Sequence, residues 1–202
     1  MSNRHSPAGS RAPDPVATRP GSEWRMQTPR LIVRPAEIGD AVAWHAIRAA
    51  SPMQSAIFGL DHARRQVSEM AGVAPGSRPG WHQFMIVDRD AVRGGSVIGD
   101  IGVNFGSAGA GRSAPAQAEI GFEMHPVWRK KGIAREAVGR LVEHLLGPFG
   151  LHRIVAITDT RNADAQALLE RLGFLREAHY VESWQDGAMW RDEYGYALRA
   201  RR

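Results

Sequence analysis

The chain has 202 residues, 43% of them hydrophobic, and 26 Lys and Arg against 21 Asp and Glu give a formal net charge of +5. That length supports one buried core and is marginal for two. It contains no cysteine, which excludes a disulfide framework, a thiol nucleophile and a Cys-based zinc site.

No apolar run approaches the length of a bilayer crossing, and the opening MSNRHSPAGSRAPDPVATRP holds no apolar stretch suited to a leader. The expectation is a cytoplasmic protein with no membrane partner. The positive charge is scattered, with its densest points at Arg64-Arg65, Arg129-Lys130-Lys131 and the C-terminal arginines. Neither an aromatic RNA-binding motif nor a recognition helix accompanies it, so no nucleic-acid partner is expected. The eight histidines show no compact ligand spacing, and no metal is expected.

Residues 1–24 carry Pro7, Pro13, Pro15 and Pro20 among Ser, Gly and Arg, which predicts a flexible tail before a single domain over 25–202. LIVR from Leu31 reads as a short strand, and AVAWHAI after Asp40 as a helix. Residues 61–72 suggest a second helix, and the breakers of 75–80 a loop. HQFMIVD (82–88) and SVIGDIGVNF (96–105) predict a hairpin across RDAVRGG. The Gly/Ser/Ala-rich stretch 106–116 reads as a connection. AQAEIGFEMH is a strand that stops at Pro126.

From Ala134 to Leu146, apolar residues recur at spacings of three and four, the pattern of a helix with one buried face. LHRIVAIT is a further strand. Asn162 can start the next helix, with Ala165, Leu168, Leu169 and Leu172 as its stripe and Gly173 as its stop. Two last strands, about 174–183 and 190–198, flank Asp186-Gly187, a favoured tight-turn pair. Strand–helix alternation between antiparallel hairpins predicts an α/β fold with a mixed sheet flanked by helices.

The most informative stretch is EIGFEMHPVWRKKGIAREAVGRLVEHLL. A strand passes through a short basic loop with one glycine directly into an amphipathic helix. The first helical turn exposes unpaired N–H groups and the positive end of the helix dipole, which together hold phosphate oxygens. Gly132 permits a tight path, Ala134 keeps the helix start open, and Arg129, Lys130, Lys131 and Arg135 add positive field. Neither a nucleotide P-loop pattern nor a dinucleotide Gly-x-Gly-x-x-Gly is present here. An ordinary helix start on a basic surface accounts for the same composition.

Arg129-Lys130-Lys131-Gly132-Ile133-Ala134 fits the Gln/Arg-x-x-Gly-x-Gly/Ala pattern, and the chain thereby resembles the GNAT N-acetyltransferase family. Glu119-Ile120-Gly121-Phe122, Gly150-Leu151-His152-Arg153, Asn162, Leu168 through Phe174, and Asp186-Gly187 with Trp190 and Asp192 resemble the branch that acetylates N-terminal amines of ribosomal proteins. The resemblance spans about residues 28–198 and is strongest from 117 onward. It implies a splayed sheet and acetyl-CoA as cosubstrate. It implies that amides from Lys130 through Ile133 to Ala134 cradle the pyrophosphate, that Phe122 and Met124 pair with the pantetheine arm, and that Asn162 reaches the same arm. An N-cap is the equal alternative for Asn162. The slot would open between 117–125 and 152–158. Relatives can pair, so a homodimer is compatible, although no surface in the sequence specifies it.

Transfer from a thioester to an amine needs a neutral amine held close, a donor for the carbonyl oxygen and a proton for the leaving thiolate. Direct attack fits the absence of cysteine. Met124 N–H is the candidate carbonyl donor. Strand alternation puts Glu119, Glu123 and His125 on one face, making Glu123, then Glu119, candidate bases, with a structural ion pair as the competing role. The family's proton donors fall at positions held here by Leu169 and Ala165, neither of which can donate, leaving Tyr180 or solvent. Trp44, Phe58, Trp184 and Trp190 are candidates to line the acceptor site, with core or surface packing as the favoured alternative for each. The acceptor is an amine of a protein N-terminus or of a small molecule, including an aminoglycoside-like antibiotic. A noncatalytic CoA-binding or protein-interaction module is the remaining alternative.

Overall fold

A computed structural model of the chain describes residues 24–51, 59–90, 96–106 and 116–201. Expectations for residues 1–23, Phe58, most of the RDAVRGG turn and most of the Gly/Ser/Ala-rich connection lie outside the described residues.

Eight strands form one sheet in the order β1-β2-β3-β4-β5-β6-β8-β7. They are β1 (Met26–Gln27), β2 (Leu31–Pro35), β3 (Gly80–Asp88), β4 (Val97–Phe105), β5 (Gln117–Met124), β6 (Arg153–Asp159), β7 (Leu175–Asp186) and β8 (Met189–Arg199). The helices are α1 (Ala41–Ala49), α2 (Leu60–Met70), α3 (Ile133–Leu146) and α4 (Ala163–Arg171). All neighbours pair antiparallel except β5 and β6. The mixed α/β architecture is therefore the one the strand–helix alternation predicts. β1 is the unforeseen element, because two residues leave no periodicity to read.

Helix packing gives the sheet a core on each face. On one face α3 buries Ile133, Ala137, Val138, Leu141, Val142 and Leu145 against strand residues that include Val33, Phe84, Ile101, Ile120 and Ile154. Each Ile, Val or Leu among them contributes roughly 1.5–3 kcal/mol on burial, which outweighs the cost of Gly139 within the helix. On the other face α1 and α2 set Trp44, Ala63 and Val67 against Met85 and Val87.

Trp24, which the sequence assigns to the tail, is placed in the core. It is only 2% exposed and packs against Phe84, Phe105, His144 and Phe149.

Candidate active site

The parallel pairing of β5 with β6 covers Gln117↔Arg153, Ala118↔Ile154 and Glu119↔Val155 and then stops, while both strands continue. The sheet therefore opens into a slot beyond Glu119, between the two segments that the sequence assigns to it. His125 N–H donates to Ile98 O across to β4 (3.0 Å). Antiparallel alternation then turns the main-chain groups of Phe122 and Met124 away from β4 and toward the slot. Met124 N–H lies 3.2 Å from its acceptor Glu123 Oε1, and Met124 O accepts from Arg129 Nε at 3.0 Å.

After β5, a 3₁₀ turn at Pro126–Trp128 delivers the chain to the start of α3. Lys130 (φ 58°) and Gly132 (φ 74°) are left-handed, and Gly132 is the N-cap of α3. A Cβ at 132 would meet nothing closer than Arg30 Nη2 at 3.7 Å, so space is available and backbone conformation is what selects glycine. The first turn begins its own bonding with Glu136 N–H to Gly132 O (3.1 Å), and the amides of residues 130–135 find no acceptor among the described residues. Six consecutive donors at the positive end of a helix form a cradle that fits a diphosphate.

Its cations are not equivalent. Arg129 turns inward, with Nη2 donating to Glu123 Oε1 at 2.9 Å, and is engaged in structure rather than free for phosphate. Lys130 is 81% exposed, and Lys131 lies over the Trp128 ring.

The loop is also clamped from a hundred residues upstream, which the sequence did not signal. Arg30 Nη1 donates to Lys131 O (3.1 Å), and its Nε donates to Glu136 Oε2 (2.7 Å). Thr28 Oγ1 donates to the same carboxylate (2.5 Å). These hydrogen bonds and the Arg30 charge hold the Glu136 carboxyl below its ordinary range despite partial burial. An acid at this point would oppose a phosphate, and Arg30 neutralises it.

Residues on the α1–α2 face are set by cross-strand register. Rows of partners run Trp81↔Asn104↔Glu119, Gln83↔Gly102↔Gly121 and Met85↔Asp100↔Glu123. The middle row ends in two glycines, and of these only Gly121, between Glu119 and Glu123, has open space over it. Trp81 lies over Gly102, where a Cβ would come within 3.1 Å of its ring. A Cβ on Gly121 would meet nothing within 4 Å.

The two acids differ sharply in surroundings. Glu123 accepts from Arg129, from Met124 N–H and from Ser51 Oγ (2.9 Å). Glu119 is partly buried and accepts no hydrogen bond from a described residue. Burial, with the Glu193 carboxylate adding repulsion, raises its pKa. Asp100, beside Glu123, is fully buried. Its Oδ2 accepts from Arg48 Nη2 (2.5 Å) and from Gln83. Burial pushes its carboxyl up to about 6 against the pull of Arg48.

The aromatic candidates separate. Trp44 is 4% exposed and packs in the α1–α2 core, so it braces the face from below rather than lining an open pocket. Trp184 pairs with Arg191 and Gln185 with Trp190, so alternation along β8 puts Trp184 on the Glu193 face and Trp190 on the opposite one. The two tryptophans cannot line one pocket. Tyr180 is on the Glu119 face, packed over Gly195, where an added Cβ would come within 2.9 Å of its ring. On α4, Leu169 and Ala165 are buried and carry no transferable proton. Asn162 is an N-cap, its side chain accepting from Ala165 N–H at 3.1 Å.

Residues 30–175 match the family model of the acetyltransferase (GNAT) domain. A Bacillus subtilis protein named as the uncharacterised N-acetyltransferase YnaD is 32% identical over 80 residues, 40% of this chain and 47% of that protein. The match spans about half the length of that relative. Among solved structures, RimL, a ribosomal L7/L12 α-N-protein acetyltransferase in complex with coenzyme A, superposes with a TM-score of 0.69 at 16% identity, over 85% of this chain and 95% of that one. A spermidine N-acetyltransferase chimera of Vibrio cholerae SpeG and hSSAT superposes with a TM-score of 0.70 at 20% identity, over 84% and 95%.

Proposed function

The chain belongs to the GNAT acetyltransferase family, and from that premise we propose that it transfers the acetyl group of acetyl-CoA to a primary amine by direct attack. The amides of residues 130–135 take the cofactor's diphosphate, with Lys130, Lys131 and Arg135 supplying charge. Phe122 and Met124 present their main-chain groups to the arm in the β5–β6 slot. Acetyl-CoA supplies the activated thioester, so no covalent adduct with the protein is needed. The single observation that carries this reading is the conjunction of an open slot with an amide-lined helix start at the end of the same strand.

Glu119 takes the amine proton. It stands at the mouth of the slot, unengaged, and its raised pKa brings its basicity nearer to neutral pH. Glu123, the sequence's first choice, already accepts three hydrogen bonds. Met124 N–H can turn from Glu123 to the carbonyl oxygen, where a preorganised donor is worth most. Tyr180 or solvent protonates the departing thiolate. The acceptor is a protein N-terminus or a small molecule. Glu119 and Glu193 on one face favour an amine that arrives as a cation.

Gly132→Asp tests the cradle, because it places an L side chain at φ 74° and a negative charge beside phosphate. Isothermal titration of CoA should give at least a tenfold loss of affinity, about 1.4 kcal/mol, with cooperative unfolding retained. A folded variant with unchanged affinity rules out this placement. Release of free CoA thiol across a panel of peptide N-termini and small polyamines then selects the acceptor class.

A further inference from the structure

Glu123 sits where three parts of the molecule meet. Its Oε2 accepts from Ser51 Oγ at 2.9 Å, and Ser51 follows the last turn of α1 with its own N–H bonded to Arg48 O at 3.1 Å. Its Oε1 accepts from Arg129 Nη2 at 2.9 Å, and Arg129 is the first residue of the phosphate loop. The same guanidinium donates through Nε to Met124 O. Across the strand pair, Asp100 holds Arg48, one turn before Ser51 on the same helix. One carboxylate thus joins the loop that receives the cofactor to the helix end on the opposite face of the sheet. Each oxygen faces a different element.

We infer that Glu123 is a positioning residue, a strut through which occupancy of the phosphate loop fixes the end of α1. The inference rests on the proposed placement of the cofactor diphosphate at residues 130–135. A diphosphate drawn into the cradle fixes residues 130–135, and Arg129 at their head has both of its engaged nitrogens on β5. Any preference of the loop for one position is felt at Glu123 and, through Oε2, at Ser51. Linkage makes the effect reciprocal, so ordering the end of α1 tightens the loop as well. A base at this position would have to give up Arg129 to take a proton. A strut has to keep it.

The two roles separate in hydrogen exchange. Addition of CoA to the full chain should slow exchange of the Ala50 and Ser51 amides, which bond back to the last turn of α1, by roughly fivefold or more, the lower end of ordinary coupling between sites. Glu123→Gln should abolish that response and weaken CoA binding several-fold. Ser51→Ala keeps Arg129 on Glu123 but cuts the link to α1, so it should abolish the response and, by reciprocity, weaken CoA binding by about the factor the exchange shows. Should Glu123→Gln fail to fold, Ser51→Ala alone decides. Wild-type protein that binds CoA with no change at these amides overturns the strut and leaves the functional reading standing, as does a CoA response that survives in Ser51→Ala. Wild-type protein that does not bind CoA overturns both.

Discussion

The phosphate loop and the carboxylate face are built on opposite principles, although β5 feeds both. At the loop, the backbone leaves six consecutive amides without acceptors among the described residues, and the charges nearby are exposed or drawn inward. On the carboxylate face, Asp100 and Glu123 are tied to Arg48, Gln83, Ser51 and Arg129, and Glu119 is the exception. A site that receives a polyanion is preorganised by withholding hydrogen bonds. A site proposed to move a proton holds Asp100 and Glu123 in charge-assisted hydrogen bonds and leaves Glu119 without one from a described residue.

Glu119→Gln puts the most pressure on that contrast. It keeps the shape and removes the base, so acetyl transfer should fall by roughly 10²–10⁴-fold at subsaturating acceptor, with CoA affinity unchanged. Part of the loss should return at high pH, where more of the acceptor is already neutral. Wild-type rates across the pH range in a folded variant would remove Glu119 from this role.

The next largest effect belongs to Asp100. The unfolded chain releases this proton near pH 4, whereas burial holds it in the folded protein up to about 6. The contribution to stability is therefore present below that window and lost as pH rises through about 6. Asp100→Asn carries no such proton. The stability difference between variant and wild type should shift toward the variant by roughly 2–3 kcal/mol between pH 4 and 7, read from urea midpoints. A difference that stays flat with pH would mean that Arg48 keeps Asp100 ionised throughout.

At the cofactor end the expected effect is smaller and more diagnostic. Asn162→Ala should cost about 1 kcal/mol of stability through loss of the α4 cap. Asn162→Asp keeps the cap oxygen and deletes the amide donor. Wild-type stability with weakened CoA binding in that variant would assign the amide to the pantetheine arm, and unchanged binding would leave Asn162 as a cap alone.

This contrast also explains what could be read from the sequence. Loop geometry is local: a glycine, three basic residues and a 3.6-residue apolar period lie within one stretch, so α3, its N-terminus and the slot-forming strands were legible. Asn162 and Gly173 announced the ends of α4 by the same local chemistry. The carboxylate face is written in register. Nothing near Glu123 says that Ser51 reaches it from 72 residues away or that Asp100 is its cross-strand neighbour. Strand alternation put Glu119 and Glu123 on one face, but which of them is engaged depends on α1 and Arg129. The faces taken by the tryptophans are hidden for the same reason, since proximity to one turn says nothing about which face each takes. Trp184 and Trp190 separate by alternation along the final hairpin, and Trp44 by the packing of α1.

The clamp of Thr28 and Arg30 on Glu136 has a consequence for how the protein is assembled. Its partners are separated by 106 and 108 residues, so closing it costs chain entropy that few local contacts offset. During synthesis the clamping residues emerge first and wait while every strand from β2 to β5 is made. The helix that carries the phosphate cradle can form within its own sequence, but its first turn is pinned only after the amino-terminal strands have docked. Cofactor-competent protein should therefore appear late in refolding, after the bulk of the helical signal.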